Sequence, residues 1–209
     1  MAKIKSVHAC LIKEQIKLSL EAKGYVFFDG NKSFNLNIIG IRNSSGSASS
    51  FDDSILVIYR DEDLKWTVLS YQVTTEPGPS ILKKPINPNG TAILVPDQYR
   101  GVYLIGSHGG KNRHTALCQR GGVVSVYRDT NLDGKPDKNG LIDTGWFGIN
   151  IHRHPYSNER EYVGGVSAGC QVFRSKKDFS EFLDICNRSA DIYGNSFSYT
   201  LLDEKELVC

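Results

Sequence analysis

The chain has 209 residues with 25 Lys and Arg against 23 Asp and Glu, a formal charge of +2, which implies no basic surface for a nucleic-acid backbone. Its five cysteines are an odd number with no Cys-x-x-Cys pair, so neither a disulfide framework nor a zinc ribbon organises it. Twenty Gly, ten Tyr and nine Phe among short apolar alternations exclude a helical bundle and predict a strand-rich chain.

Lys3, Lys5, Lys13, Glu14, Lys17 and Glu21 interrupt the first 24 residues, which therefore read neither as a signal peptide nor as a membrane span. Within them Ala9, Ile12, Ile16 and Leu20 recur at helical spacing and predict an amphipathic helix over 7–23, stopped by Gly24. The alternation Phe34-Asn35-Leu36-Asn37-Ile38 predicts a strand with its three apolar residues on one face. A Ser/Gly-rich loop over 43–50 follows, so residues 1–50 read as an extension and 51–209 as the main domain. Strands at 55–59 and 66–73 flank the polar turn Asp61 to Asp63 as a hairpin. Strands at 92–95, 102–105 and 115–119 follow at meander-like spacing, and 123–127 and 147–152 add two more, split by the acidic loop 129–143. Ser175, with Asp178 three residues on, caps a helix carrying Phe179, Phe182, Leu183 and Cys186, which makes Cys186 a core residue. A strand at 197–202 closes a mainly β (α+β) chain with two packed helices.

The chemistry concentrates between Gly148 and Arg174. On a strand over 147–152 the period of two sends Ile149 and Ile151 to the core and Asn150 and His152 to the other face. Eighteen residues later, Ser167-Ala168-Gly169-Cys170 sets a thiol after a glycine suited to a tight turn. A free thiol is only a few per cent thiolate at neutral pH, and an imidazole beside it supplies the missing base. This predicts a depressed pKa for Cys170 alone among the cysteines. His154 is the rival base on the same face, and Pro155 marks the end of that strand. His8, His108 and His114 read as surface or structural histidines, His108 being the one that invites a test.

The pattern Ile151-His152 followed by Ser167-Ala168-Gly169-Cys170 resembles the catalytic domain of the L,D-transpeptidase (YkuD-like) family. The stretch from Pro96 to Tyr103, continued by Gly106-Ser107-His108-Gly109, is similar to a strand of that family, and the likeness is strongest over residues 95–186. The resemblance implies a β-sandwich or barrel acting on peptidoglycan stem peptides. It implies Cys170 as the acylated nucleophile and His152 as its base, with Ser167 and Gly169 shaping the turn. A backbone carbonyl would orient the histidine, and backbone N–H groups near Cys170 would form the oxyanion hole. Two departures stand out: Ala168 replaces a histidine, and Val172 replaces a polar residue that helps to position the substrate. Arg153 and Arg174, with His154 and His108, are the substrate-binding candidates nearby. No cofactor is required by this chemistry.

Two other function classes fit the same residues. One is a wall-binding module of the same fold without chemistry, and the other is a zinc hydrolase using His152, His154 and Cys170. A separate signal, Asp129-x-Asn131-x-Asp133-Gly134-x-x-Asp137, matches positions 1, 3, 5, 6 and 9 of a calcium loop, with Gly140 where the bidentate Glu belongs. Its alternative is a polar hairpin loop braced by Asx turns, and Asp143 is a further oxygen donor within reach. A peptidoglycan substrate without a signal peptide implies cytoplasmic synthesis followed by delivery through lysis, a virion or a secretion machine. Hydrolysis or exchange that damages the wall, rather than cross-linking, is the expected direction. Nothing in the sequence specifies an oligomer.

Overall fold

A computed structural model describes residues 2–3, 6–110, 113–156 and 161–208. Twelve strands are present among them: β1 (Ala2–Lys3), β2 (Asn37–Arg42), β3 (Asp53–Arg60), β4 (Trp66–Thr74), β5 (Thr91–Leu94), β6 (Gln98–His108), β7 (His114–Gln119), β8 (Val124–Asp129), β9 (Ile142–Gly145), β10 (Ile151–Arg153), β11 (Gln171–Phe173) and β12 (Phe197–Asp203). Eight of them run β4-β11-β10-β7-β6-β12-β2-β3, and β3 pairs back to β4, so the sheet closes into a barrel-like ring. A second sheet of order β5-β8-β9 lies beside it. The β3–β4 hairpin turns at Asp61–Asp63 as its polar residues predict, with Leu64 in the left-handed region at φ 59°.

The mainly β class is borne out, with three α-helices in place of the expected two: α1 (Ser6–Ala22), α2 (Pro79–Lys83) and α3 (Lys176–Tyr193). The five-residue α2 starts on a proline after Gly78 and is too short to carry an apolar period. In α1, Ile16 and Leu20 pack with Ile39, Leu56, Ile58 and Val68 on one face of the sheet. In α3, Phe179, Phe182, Ile185 and Cys186 join the opposite, larger core with Tyr71, Phe173 and Tyr199. The Ser175 cap is real, its side chain accepting the Asp178 N–H. Among the described residues no helix is long and apolar enough to cross a membrane.

Two expectations are corrected. The strand expected at 34–38 lies instead at 37–42, because Phe34 sits in the left-handed region at φ 54° with its ring stacked on Tyr59. The strand itself is buried on both faces, Ile38 entering one core and Ile39 the other, so it reads as an apolar run rather than an alternation. The meander expected over 92–119 holds only between β6 and β7, which pair antiparallel, because β5 joins β8 in the second sheet; β2 pairs with β12 and β10 with β11 in parallel. Residues 37–42, before the division expected at residue 50, supply a barrel strand.

Candidate active site

The two chemical signals of the sequence meet because β10 and β11 are parallel neighbours. Ile151 pairs with Gln171 and His152 with Val172. The Gln171 N–H also donates to the Asn150 carbonyl, which extends the ladder and sets Cys170 beside Asn150. Ile149, Ile151 and Phe173 enter the core, but the strand expected at 147–152 is corrected to Ile151–Arg153, with Ile149 ahead of it and Gly148 in the left-handed region at φ 69°. Cys170 and Val172 belong to a different apolar cluster, with Phe51, Val163 and Val166. Paired residues of a ladder share a face, so Cys170 and His152 stand as diagonal neighbours on one side of it.

The turn before Cys170 is over-determined. Gly169 adopts φ +118°, and a Cβ there would stand 2.4 Å from the Ala92 carbonyl oxygen of β5, so only glycine fits. The Ser167 hydroxyl donates to the Cys170 carbonyl at 2.8 Å and accepts the Gly169 N–H at 3.2 Å. Behind the turn, buried Gln171 donates from Nε2 to the Gly169 carbonyl at 3.2 Å and accepts the Tyr199 hydroxyl at 3.0 Å. Carbonyl and N–H point opposite ways across a trans peptide. Anchoring the Gly169 carbonyl on the buried side therefore aims the Cys170 N–H outward, and this N–H makes no hydrogen bond among the described residues. It is available to an oxyanion.

The thiol sits in a backbone notch. Cys170 Sγ accepts the Asn150 N–H at 3.4 Å and donates to the Gly148 carbonyl at 3.5 Å. Burial pushes its pKa up to about 11, outweighing the Asn150 N–H, which lowers it. His152 is 5% exposed and is pushed down to about 3 by burial and then by neighbouring His108, against the opposing pull of its own hydrogen bond to the Arg153 carbonyl. The resting pair is thus neutral thiol and neutral imidazole, which corrects the expected depressed thiol. An attack from this state transfers the proton as the new bond forms.

A backbone carbonyl orients the His152 ring: its Nδ1 lies 2.9 Å from the Arg153 oxygen. Nδ1 is then the protonated nitrogen and Nε2 the basic one. His108, a substrate-binding candidate from sequence, and His114, read there as surface or structural, complete the setting. His108 stacks on His152 with centroids 4.2 Å apart, and His114, its cross-strand partner, meets both rings at an angle. Asn150 Nδ2 donates to His108 Nδ1 at 2.9 Å, while its Oδ1 accepts the Gln119 N–H at 2.8 Å. Gln119 also takes the N–H groups of Phe147 and Ile149 on its side-chain oxygen, fixing the approach to β10. Asn150 was legible only as a same-face neighbour of His152, and Gln119, Gln171 and Tyr199 carried no sequence signal.

The other expected site residues are spread around this centre. His154 is 1% exposed and lies edge-on to Phe51 beside Tyr156, lining a cavity of about 320 Å³ with Glu161, Tyr162 and Val166. Arg153 donates to the His154 carbonyl and lines a groove with His114 and Lys176. Arg174 is tied to the Gln72 side chain of β4 at 2.7 Å. Ala168 lines a cleft of about 270 Å³ with Trp146, Phe147 and Arg128.

The metal set of His152, His154 and Cys170 is not the one brought together. Among the described residues, His108, His114 and His152 are the group whose ligand atoms lie within 4.8 Å of one another. One of these is poorly suited to a metal. The Gln119 N–H fixes which end of Asn150 is the oxygen, so the amide NH₂ must face His108 Nδ1 and engage its lone pair. In a neutral ring Nε2 then carries the hydrogen, and His108 is left without a free donor pair.

The sequence matches no protein-family model and no curated protein.

Proposed function

We propose that the chain is a cysteine acyl-transfer enzyme acting on peptidoglycan stem peptides. The observation that carries this reading is the pairing of β10 with β11, which sets the Cys170 thiol and the His152 imidazole on one face behind an outward-aimed Cys170 N–H. The resemblance of Ile151-His152 and Ser167–Cys170 to the L,D-transpeptidase motif supplies the substrate class. Cys170 gives its proton to His152 Nε2 as sulfur bonds to the substrate carbonyl carbon. The Cys170 N–H stabilises the oxyanion, the C–N bond breaks, and the leaving amine takes the proton from His152. Water or a second amine then releases the thioester. Arg153 and Lys176, both on the groove beside His114, supply positive charge for a stem-peptide carboxylate.

Isolated sacculi incubated with the protein and analysed by mass test this. Loss of a terminal D-amino acid, or cleaved cross-links, is expected. New direct cross-links between two diamino acids would keep the acyl transfer and reverse its direction, and unchanged masses would remove it. A second reading, a wall-binding module without chemistry, is favoured by one observation: burial holds the thiol protonated. Retention on sacculi with no thioester on Cys170 would establish it.

A further inference from the structure

The loop between β8 and β9 lies outside the site above and carries the other sequence signal. Its side chains fold inward as a series of Asx turns: Asn131 Oδ1 accepts the Asp133 N–H, Asp133 Oδ1 the Lys135 N–H, and Asp137 Oδ1 the Asn139 N–H. These bonds account for the loop's shape and would serve a plain hairpin equally well. Asp129 is different. It is 0% exposed, its Oδ2 accepts the Asp137 N–H at 2.7 Å and so lies beneath the loop, and its Oδ1 is buried with no hydrogen-bond partner. A buried carboxylate oxygen left unpaired is costly unless a cation meets it.

The positive side chains nearby do not fill that role. Arg128 is taken by Asp143 and Lys138 by Glu76, and the stem of Lys83 lies against Gly134 without an ion pair to Asp129, Asp133 or Asp137. The donor set, oxygens alone, suits a hard cation. Calcium, with oxygen ligands at about 2.3–2.6 Å, spans a cage roughly 5 Å across and accepts amide and main-chain oxygens as readily as carboxylates.

We propose that the Asp129–Asp137 loop is a calcium site, with Asp129 Oδ1, side-chain oxygens of Asn131, Asp133 and Asp137, and the Lys135 carbonyl as its protein ligands. Gly140 stands in place of the bidentate Glu, and Asp143, a donor considered from sequence, is held by Arg128 at 2.8 Å. Waters complete the shell, and the affinity falls in the weak range of about 10⁻⁴–10⁻³ M. The ion would brace the small sheet whose β5 carbonyl at Ala92 packs on Gly169, linking it to the nucleophile turn.

The test is independent of any enzymatic activity. The full chain, stripped with a chelator, is titrated with calcium chloride by calorimetry and by thermal melting, with magnesium chloride as the control. One calcium per chain and a rise in Tm that magnesium does not reproduce are expected. Asp133→Asn keeps the oxygen that accepts the Lys135 N–H, so it preserves the turn and should weaken calcium binding about tenfold or more. Asp129→Asn should abolish it, and Asp133→Asn keeps the test decisive if that buried variant does not fold. No heat and no Tm shift at millimolar calcium would overturn the proposal. So would calcium binding that both variants leave unchanged.

Discussion

His152 on β10 and His154 just past its end are two residues apart and nearly buried, yet their surroundings diverge. Around His152 the neighbours are polar and directional: the Arg153 carbonyl fixes the tautomer, His108 stacks on the ring, and Asn150 holds His108. Around His154 the Tyr156 N–H donates to Nδ1 at 3.2 Å, which puts the hydrogen of a neutral ring on Nε2, and Phe51 lies edge-on with Tyr156 tilted against the ring. Burial lowers the charge state of any imidazole. What distinguishes a base is a partner on one nitrogen that leaves the other basic and aimed at the nucleophile.

The largest effect that would sharpen this contrast is at the thiol. Cys170→Ala should lower turnover of stem peptides by about 10³-fold or more with an unchanged melting profile. Retained turnover would end the covalent mechanism. Next, His152→Ala should cost about 10²–10⁴-fold and His154→Ala less than about tenfold, measured on the same substrate. Reversed magnitudes would move the base to His154. Asn150→Ala leaves the Gln119 N–H and His108 Nδ1 unpaired, a cost of about 1–3 kcal/mol in the transition state or the fold. The affected pool can be separated by comparing kcat with Tm. The smallest effect is at Tyr199→Phe, which removes the hydroxyl that holds Gln171 and should destabilise the chain by about 0.5–1.5 kcal/mol.

The contrast also has a pH signature. His152 has its folded pKa depressed to about 3 from 6.5, so the unfolded chain binds the extra proton first as pH falls. Stability from this group is complete above about pH 6.5 and is lost on acidification toward pH 3. His152→Gln should flatten that slope in pH-dependent melting, and an unchanged slope would contradict the buried neutral imidazole. Cys170 acts at the other end, its folded pKa raised to about 11 from 9.0, so its contribution is intact below pH 9 and is lost as pH rises through 11. Iodoacetamide labelling of Cys170 in the native chain should accordingly be slow at neutral pH and accelerate with alkali.

Much of this centre was written locally. The Gly-Cys turn, the Ile-His strand and the Ser175 cap each depend on residues within four positions of one another, which is the range that periodicity and turn chemistry report. What escaped was non-local. Gln171 meets Tyr199 and Gln119 meets Asn150 across 28 and 31 residues, and their roles exist only once the barrel closes. His114 enters the site only as the cross-strand partner of His108. Strands as short as β11, with three residues, carry no period at all. Phe34 misled in the opposite way, because alternation on paper does not forbid a left-handed residue held by stacking on Tyr59.

The place of β12 in the ring has a bearing on how the molecule is made. This strand is wedged between β6 and β2, with Leu201 opposite Gly40, so two earlier strands keep bare edges until residues 197–203 have left the ribosome. Closure of so distant a pair is slow relative to local contacts. Nascent chains halted before residue 197 would therefore expose both edges, and these are the species that a chaperone or a protease meets first.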